Sequence, residues 1–522
     1  MRHQNLLIIL ALATATIFAN IGGLDVYALD EAKNAEAARE MFISGDYVTP
    51  FYNGELRTDK PPLHYYFMSI GYSLFGVNAF GARSMNALFG ILTVLITFLF
   101  AKKQFNEKVA IYSSLVLITS LHFNMQMHMS VPDPYLIFFL TWAFFSFYEA
   151  YRENNWWQKL SFYFAIGCGL LLKGPVAVGL TGLTALIFLI VNKDLKWKTI
   201  WRLQPFGGLL LTFAVAIPWY WAVHQATDGL WTEEFFFKHN FSRYSDAMEG
   251  HNGIFLLTFG YAFLLGMLSF LAFIPQALKS AWKNDIASRY LLTATSVILI
   301  FFSLASTKLP NYTTPAYPLL ALLIGHFISN LSDQFFQKKS NYILYLLYAL
   351  IMIALPIGIY LGLQADPSIA HLKKLWVYFI PAGLMGVYWL YVGIRRQGIR
   401  QAIHANMAVW LVTILMFFYL AFPQVDAENP TRKFIPQMDA SLPVISYARL
   451  NPAFVFELKR IIPRYAELDA LKAVIQDEPR GYIISREKYR QELEQIDGVV
   501  FVDKARDTFE NPTSLLMYWE RD

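Results

Sequence analysis

Carboxylates and cations recur in this chain at the edges of long apolar runs, where holding a charge is costly. Asp30 and Glu31 are adjacent, and Asp59-Lys60 precedes the rigid pair Pro61-Pro62. Asp133 stands between Pro132 and Pro134, which fix the backbone around it. Lys173-Gly174-Pro175 puts a lone cation between two apolar runs, and Lys308-Leu309-Pro310-Asn311-Tyr312 puts another before a proline-rich one. A further polar stretch runs Phe235 to Tyr244, with Lys238, His239 and Arg243. Acids of this kind orient or deprotonate a nucleophile, and cations of this kind neutralise a phosphate.

Each residue taken alone also has a plainer reading. Asp133 could cap the helix that follows it. Lys173 or Lys308 could snorkel to headgroups, and Glu31 could solvate a helix start. His122, His128, His239 and His251 lack metal-ligand spacing and read as loop histidines. What outweighs these readings is the conjunction: on the topology below, all these charges fall on one side.

The elements that must position them are membrane helices. Of 522 residues, 56% are hydrophobic and 16% charged, against about 25% charged in soluble domains. Apolar runs of about 20 residues, enough to cross a bilayer core, are expected near 5–24, 80–101, 108–126, 132–150, 157–172, 174–192, 204–224, 253–278, 288–305, 312–330, 341–363, 375–394 and 403–422. The first also reads as a cleaved signal peptide, but no clean cleavage site precedes Asp25. The single cysteine, Cys168, excludes an internal disulfide framework. Nothing in the small net charge of +5 points to nucleic acid.

Basic residues set the expected orientation. With a cytoplasmic N-terminus, the inside loops hold Lys102, Lys103 and Lys108, then Arg152 and Lys159, and later Lys338, Lys339, Arg395, Arg396 and Arg400. The first outside loop, 25–79, carries an amphipathic helix opening at Asp30-Glu31 and stopped by Gly45, then an interfacial helix from Leu63 to Phe75. Thirteen crossings leave the C-terminus outside. Residues 1–424 then form the membrane domain and 425–522 a soluble α/β domain. Its expected strands lie at Val444–Tyr447, Phe454–Phe456, Tyr482–Ile484 and Val499–Val502, and its helices near Arg464–Ile475 and Arg486–Ile496. No phosphate-binding glycine loop is present to drive an ATP-dependent transporter.

Five motifs occur in one order: Asp30-Glu31, Lys60-Pro61-Pro62, Pro132-Asp133, Lys173-Gly174-Pro175 and Lys308-Leu309-Pro310-x-Tyr312-x-x-Pro315. In this the chain resembles the bacterial branch of the dolichyl-phosphate-mannose protein mannosyltransferase superfamily, and within it the lipid A aminoarabinose transferase group. The resemblance covers nearly the whole chain. It implies a polytopic α-helical GT-C glycosyltransferase of about thirteen transmembrane helices with a C-terminal periplasmic α/β domain. Such an enzyme resides in the bacterial inner membrane and moves a sugar from a polyprenyl-phosphate carrier. The resemblance makes Asp30 the acceptor-side carboxylate and Asp133 the second acid, with Glu31 beside them as a third catalytic candidate. Lys60, Arg243 and Tyr312 become the groups on the carrier phosphate, with Lys173 and Lys308 serving the same anion. Asp59 stands where many relatives carry a metal-associated Glu, and no histidine pairs with it. A divalent cation is therefore expected to be non-obligatory.

The expected reaction is inverting transfer of a sugar, 4-amino-4-deoxy-L-arabinose by resemblance, to lipid A or another envelope glycolipid. Undecaprenyl phosphate is the expected carrier. Transfer of a hexose to protein Ser or Thr is the rival within the class. A secondary transporter or lipid flippase is the rival outside it, but that reading needs ionisable residues near the midplane, where this sequence has almost none.

Overall fold

The computed structural model describes residues 4–26, 29–241, 253–366, 369–507 and 512–521. Each stretch expected to be an apolar span is largely helical, because a backbone in hydrocarbon must satisfy its hydrogen bonds internally. Helices α1 (Gln4–Ile17), α2 (Leu29–Ser44), α3 (Leu63–Phe75), α4 (Ala79–Gln104), α5 (Glu107–Ile118), α6 (Leu121–Met127), α7 (Asp133–Glu153), α8 (Trp156–Lys173), α9 (Val176–Val191), α10 (Trp197–Arg202) and α11 (Pro205–Ala226) build the N-terminal half. Further helices follow over Ile286–Leu304, Tyr317–Ser329, Lys339–Ala365, Ile380–Arg395 and Ile399–Met416. This is a multi-pass helical membrane protein.

The expected span count is not reached by length and composition. Among the described residues, six helices are long and apolar enough to cross, or seven if the bent pair Leu257–Gly266 and Leu268–Lys283 is one span. Two local features account for part of the difference. The expected span 253–278 is broken by a 104° bend. The expected span 108–126 is cut at Thr119-Ser120, where the Ser120 hydroxyl accepts from the Phe123 N–H at 3.2 Å and starts α6.

The polar first loop folds as its sequence suggests. α2 opens with Asp30 and Glu31 in its first turn, favourable positions beside the helix N-terminus, and Gly45 ends it with φ +73°. Strands β1 (Phe51–Tyr52) and β2 (Glu55–Leu56) pair antiparallel around Asn53-Gly54. Both turn residues have positive φ, +54° and +74°, as a tight hairpin with the right twist requires. α2 and α3 bury Ala35, Ala38, Met41, Tyr65, Met68 and Tyr72 against each other.

The C-terminal part is a five-stranded mixed sheet of β3 (Val444–Tyr447), β4 (Arg464–Tyr465), β5 (Arg480–Arg486), β6 (Val499–Arg506) and β7 (Thr513–Glu520), in the order β4-β3-β5-β7-β6. β3 runs parallel to β4 and β5, and β7 antiparallel to β5 and β6. Three expectations are corrected. Phe454–Phe456 lies in a helix, Ala453–Leu458, because the Asn451 side chain accepts from the Ala453 N–H at 3.0 Å and Pro452 sets the first turn. The three residues then serve two cores: Phe456 packs on α2 and α3, while Phe454 and Val455 pack beneath the sheet. Arg464–Tyr465, expected to open a helix, pairs with β3 as β4, and the helix begins at Leu468; strand β7, not among the expected strands, sits between β5 and β6.

This sheet unit is tied to the first loop. Asn53 exchanges two hydrogen bonds with Ile462, Nδ2 to its carbonyl at 2.9 Å and Oδ1 from its N–H at 2.8 Å. The Glu457 carboxylate accepts from the Val26 N–H at 3.2 Å. Arg432 bridges Asp25 at 2.9 Å and Asp426 at 3.1 Å.

Candidate active site

α7 and α8 form an antiparallel hairpin joined by Asn154-Asn155, with Asn154 left-handed at φ +54°. The start of α7 and the end of α8 therefore meet, although 40 residues separate them. There the Lys173 ammonium donates to Asp133 Oδ1 at 2.8 Å. Asn311 Nδ2 approaches the same oxygen at 3.3 Å, and the Lys173 ammonium lies 5.1 Å from the centre of the Tyr312 ring. Asp133 does not cap its helix; Pro132 holds the capping position. The Asp133 carboxylate is thus turned to a cation and an amide delivered by two other segments.

The turn before Asp133 is fixed by α2 and α4. Asn86 Nδ2 donates to the carbonyls of Met129 at 2.7 Å and Val131 at 2.9 Å, and its Oδ1 accepts from Tyr135 at 2.6 Å. Glu31 accepts from the Ser130 N–H at 2.8 Å and forms a two-point pair with Arg83 at 2.7 and 3.0 Å. Arg83 also donates to the carbonyls of Ile21, Leu24 and Asp25. Both side chains are buried. Glu31, expected among the reacting acids, is in this structure a clamp joining α2, α4 and the Ser130 turn. The clamp also sets α2's first turn, including exposed Asp30, against the segment that leads into Asp133.

A second polar group sits at the start of α3. Arg57 spans Asp59 with two bonds, Nε to Oδ1 at 2.7 Å and Nη2 to Oδ2 at 3.2 Å, and donates to Asn34 Oδ1 at 2.8 Å. Its charge is sustained against burial by Asp59, and Asp30 adds to the effect. Lys60 is buried beside it. His64 lies against Tyr65, the ring centres 3.8 Å apart and the planes tilted by 43°. Burial first, then the charges of Arg57 and Lys60, push His64 well below the ordinary imidazole range, so the ring is neutral. Among the described residues no group of three or more His, Cys, Asp or Glu could hold a metal ion, and both oxygens of Asp59 face a guanidinium.

The segment from Trp231 to Phe235 closes over this group. The Trp231 indole donates to the Arg57 carbonyl at 2.8 Å, and the Thr58 hydroxyl to Glu234 at 2.6 Å. Trp219, Tyr220, Trp231 and Phe235 pack together beneath it. Arg243 and His251 lie outside the described residues. Lys308 is buried with its ammonium on the Ala305 carbonyl at 2.8 Å, at the end of the preceding helix. Tyr312 packs its ring against Phe302 at 5.0 Å.

Two of the histidines expected in loops, His122 and His128, are interior. His122 Nδ1 lies 2.6 Å from the Tyr317 hydroxyl, and His128 spans the carbonyls of Asn124 and Ala19 while stacked on Phe418. Sequence reasoning missed Arg57, Arg83, His64 and Asn311. Asn311 sits inside a quoted motif, and that was its only signal. Arg83 is a charge a few residues into an apolar helix, a visible anomaly whose partner only the fold reveals.

Residues 7–232 match the family described as dolichyl-phosphate-mannose-protein mannosyltransferase. A protein of Shewanella sediminis named undecaprenyl phosphate-alpha-4-amino-4-deoxy-L-arabinose arabinosyl transferase is 27% identical over 469 residues, 84% of this chain and 82% of that protein. An uncharacterized protein of Aquifex aeolicus is 29% identical over 69% of this chain and 71% of its own. The fold matches ArnT of Cupriavidus metallidurans, solved bound to undecaprenyl phosphate, with a TM-score of 0.80 over 99% of this chain and 98% of that one, at 20% identity. The oligosaccharyltransferase of Archaeoglobus fulgidus in its apo form follows at a TM-score of 0.51 and 11% identity, over 94% of this chain and 70% of that one.

Proposed function

We propose that this chain, related to the dolichyl-phosphate-mannose-protein mannosyltransferases and built on the ArnT fold, is an inverting glycosyltransferase. It takes a sugar from undecaprenyl phosphate and gives it to lipid A or a similar envelope acceptor. The observation that carries the reading is the convergence at Asp133. A carboxylate, an ammonium, an amide and a tyrosine ring come from three separate segments to one end of the bundle, beside the loop that holds Asp30 and Lys60. The name borne by the Shewanella relative supports the aminoarabinose donor.

In this reading the lipid donor reaches the site from the bilayer, and the chain's work is to hold two anions and align them. Asp30, exposed at the start of α2, orients the acceptor, or takes its proton where the acceptor is a hydroxyl. Asp133 is fixed by Lys173 and Asn311 to act on the sugar side. Lys60, with Tyr312 and Arg243, neutralises the departing phosphate. Lys173 lends charge to the same region, and Lys308 anchors the loop that carries Tyr312. Glu31 is a positioning residue working through Arg83 and Ser130. A metal ion is not required: Asp59, the residue that would hold one, has its two oxygens matched by Arg57. The N-terminus faces the cytoplasm, and the chemistry and the C-terminal α/β domain of residues 425–522 face the periplasm.

Mass spectrometry of lipid A from cells with and without the protein tests this. Loss of a pentosamine from a lipid A phosphate on deletion is the expected result. An unchanged lipid A overturns the proposed acceptor.

A further inference from the structure

A polar cavity lies far from the acids. It encloses about 850 Å³ and is lined by Asp333, Gln337, Tyr391, Arg395, Arg396 and Gln401 among others. The helix Ile399–Met416 starts at this cavity. Its 18 residues rise about 27 Å, and the chain beyond it reaches Asp426, which accepts from the Asp25 N–H. The cavity and the candidate active site therefore lie about one bilayer core apart.

Its charge is unbalanced. Among the described residues neither Arg395 nor Arg396 forms an ion pair; their guanidinium groups rest on the rings of Tyr391 at 5.5 Å and Tyr342 at 4.7 Å. The lining carboxylate, Asp333, accepts from the Ile399 N–H at 3.0 Å and so faces the start of a helix. Arg396 ends the helix Ile380–Arg395 in a left-handed cap with φ +53°, which sets consecutive guanidiniums at one mouth. The glutamines add amides suited to ester and hydroxyl oxygens. From this mouth a stripe of Ile394, Tyr391, Val387 and Leu384 runs along the helix at turn spacing, each residue more than half exposed. That apolar surface is where acyl chains lie in a bilayer.

We infer that this cavity binds the headgroup phosphate of an anionic phospholipid, with Arg395 and Arg396 on the phosphate and the acyl chains along the Leu384–Ile394 stripe. Paired guanidiniums match phosphate oxygens in geometry as well as charge. Basic pockets between membrane helices are suited to such headgroups. A soluble phosphate would use the arginines but leave the stripe without a role, and this favours the lipid. The inference concerns a region separate from the acids and goes beyond the transfer reaction.

Native mass spectrometry of the purified full chain tests it, with dioleoyl phosphatidylglycerol, dioleoyl phosphatidylcholine and inorganic phosphate as probes. We expect one phosphatidylglycerol retained per chain, with affinity at least about ten-fold weaker in the double variant Arg395→Gln/Arg396→Gln. The charge-conserving variant Arg395→Lys/Arg396→Lys should recover part of the binding, which separates lost charge from lost fold. Equal retention by the wild type and the Gln variant overturns the assignment, as does equal retention of the two lipids. Displacement of the lipid by millimolar inorganic phosphate also overturns it, by reassigning the cavity to a soluble anion. Glycosyl transfer is not the readout, so failure here leaves the proposed function untouched.

Discussion

The ammonium of Lys173 meets the carboxylate of Asp133 at 2.8 Å and at the same time lies 5.1 Å from the centre of the Tyr312 ring. One cation thus couples an acid at the start of α7 to an aromatic residue more than a hundred positions later. Asp133→Asn is expected to lower transfer by about 10²–10³-fold, the usual cost of removing one preorganised polar group. Lys173→Met should cost a similar factor, and the double variant should cost much less than the product of the two. Single-turnover assays of the purified enzyme measure all three; strictly multiplicative losses would show that the two side chains act independently.

Lys60 is buried at the start of α3 beside Arg57. Lys60→Ala should reduce kcat/KM for the polyprenyl-phosphate donor by about 10²-fold and leave acceptor KM little changed. Equal effects on both substrates would give Lys60 an anchoring role only.

Asp59 has both oxygens on the Arg57 guanidinium. On the proposed metal-independent transfer, treatment with a chelator should leave activity within about two-fold. A large loss on chelation, reversed by adding back a divalent cation, would refute this.

The Glu31–Arg83 pair is buried on both sides. Removing one partner strands the other charge away from water, so Arg83→Met should destabilise the chain by about 3–5 kcal/mol. The apolar double variant Glu31→Leu/Arg83→Met should recover part of that loss. Thermal unfolding in detergent measures both. An Arg83→Met protein as stable as the wild type would remove the pair from the account of how α2 is held.

The Glu457 carboxyl, beside Val26, is pushed up to about 7 from its ordinary 4.5, chiefly by burial and next by the charge of Asp25; the Val26 N–H and the guanidiniums of Arg83 and Arg432 oppose the shift. The folded chain thus binds this proton more tightly than the unfolded one. The resulting stabilisation is complete below pH 4.5 and is lost as pH rises through about 7. The melting temperature should fall across that window, and Glu457→Gln should flatten the fall. An unchanged pH profile in Glu457→Gln would assign the dependence to other groups.

The sequence by itself determined the class of protein, the places where its helices lie and the polar segments where chemistry could be held. Those properties are local: apolar runs, turn residues such as Asn53-Gly54 and Gly45, and charges beside apolar runs can all be read without knowing what packs on what. It also marked Asp30, Lys60, Asp133, Lys173 and Tyr312. What those side chains touch was decided by tertiary structure alone. Asp133 reads as a candidate acid that could equally cap its helix, until the α7–α8 hairpin returns Lys173 to it. Glu31 reads as an acid open to water until Arg83, 52 positions later, is buried against it. Asp59 reads as a loop carboxylate that could take a cation, and only the fold shows both its oxygens on Arg57. Phe454–Phe456 reads as a strand until Asn451 and Pro452 start a helix whose faces serve two cores. For Asp133 and Glu31 the deciding partner is distant in sequence, and in a buried site the partner determines whether a charge is available for chemistry or committed to holding the fold.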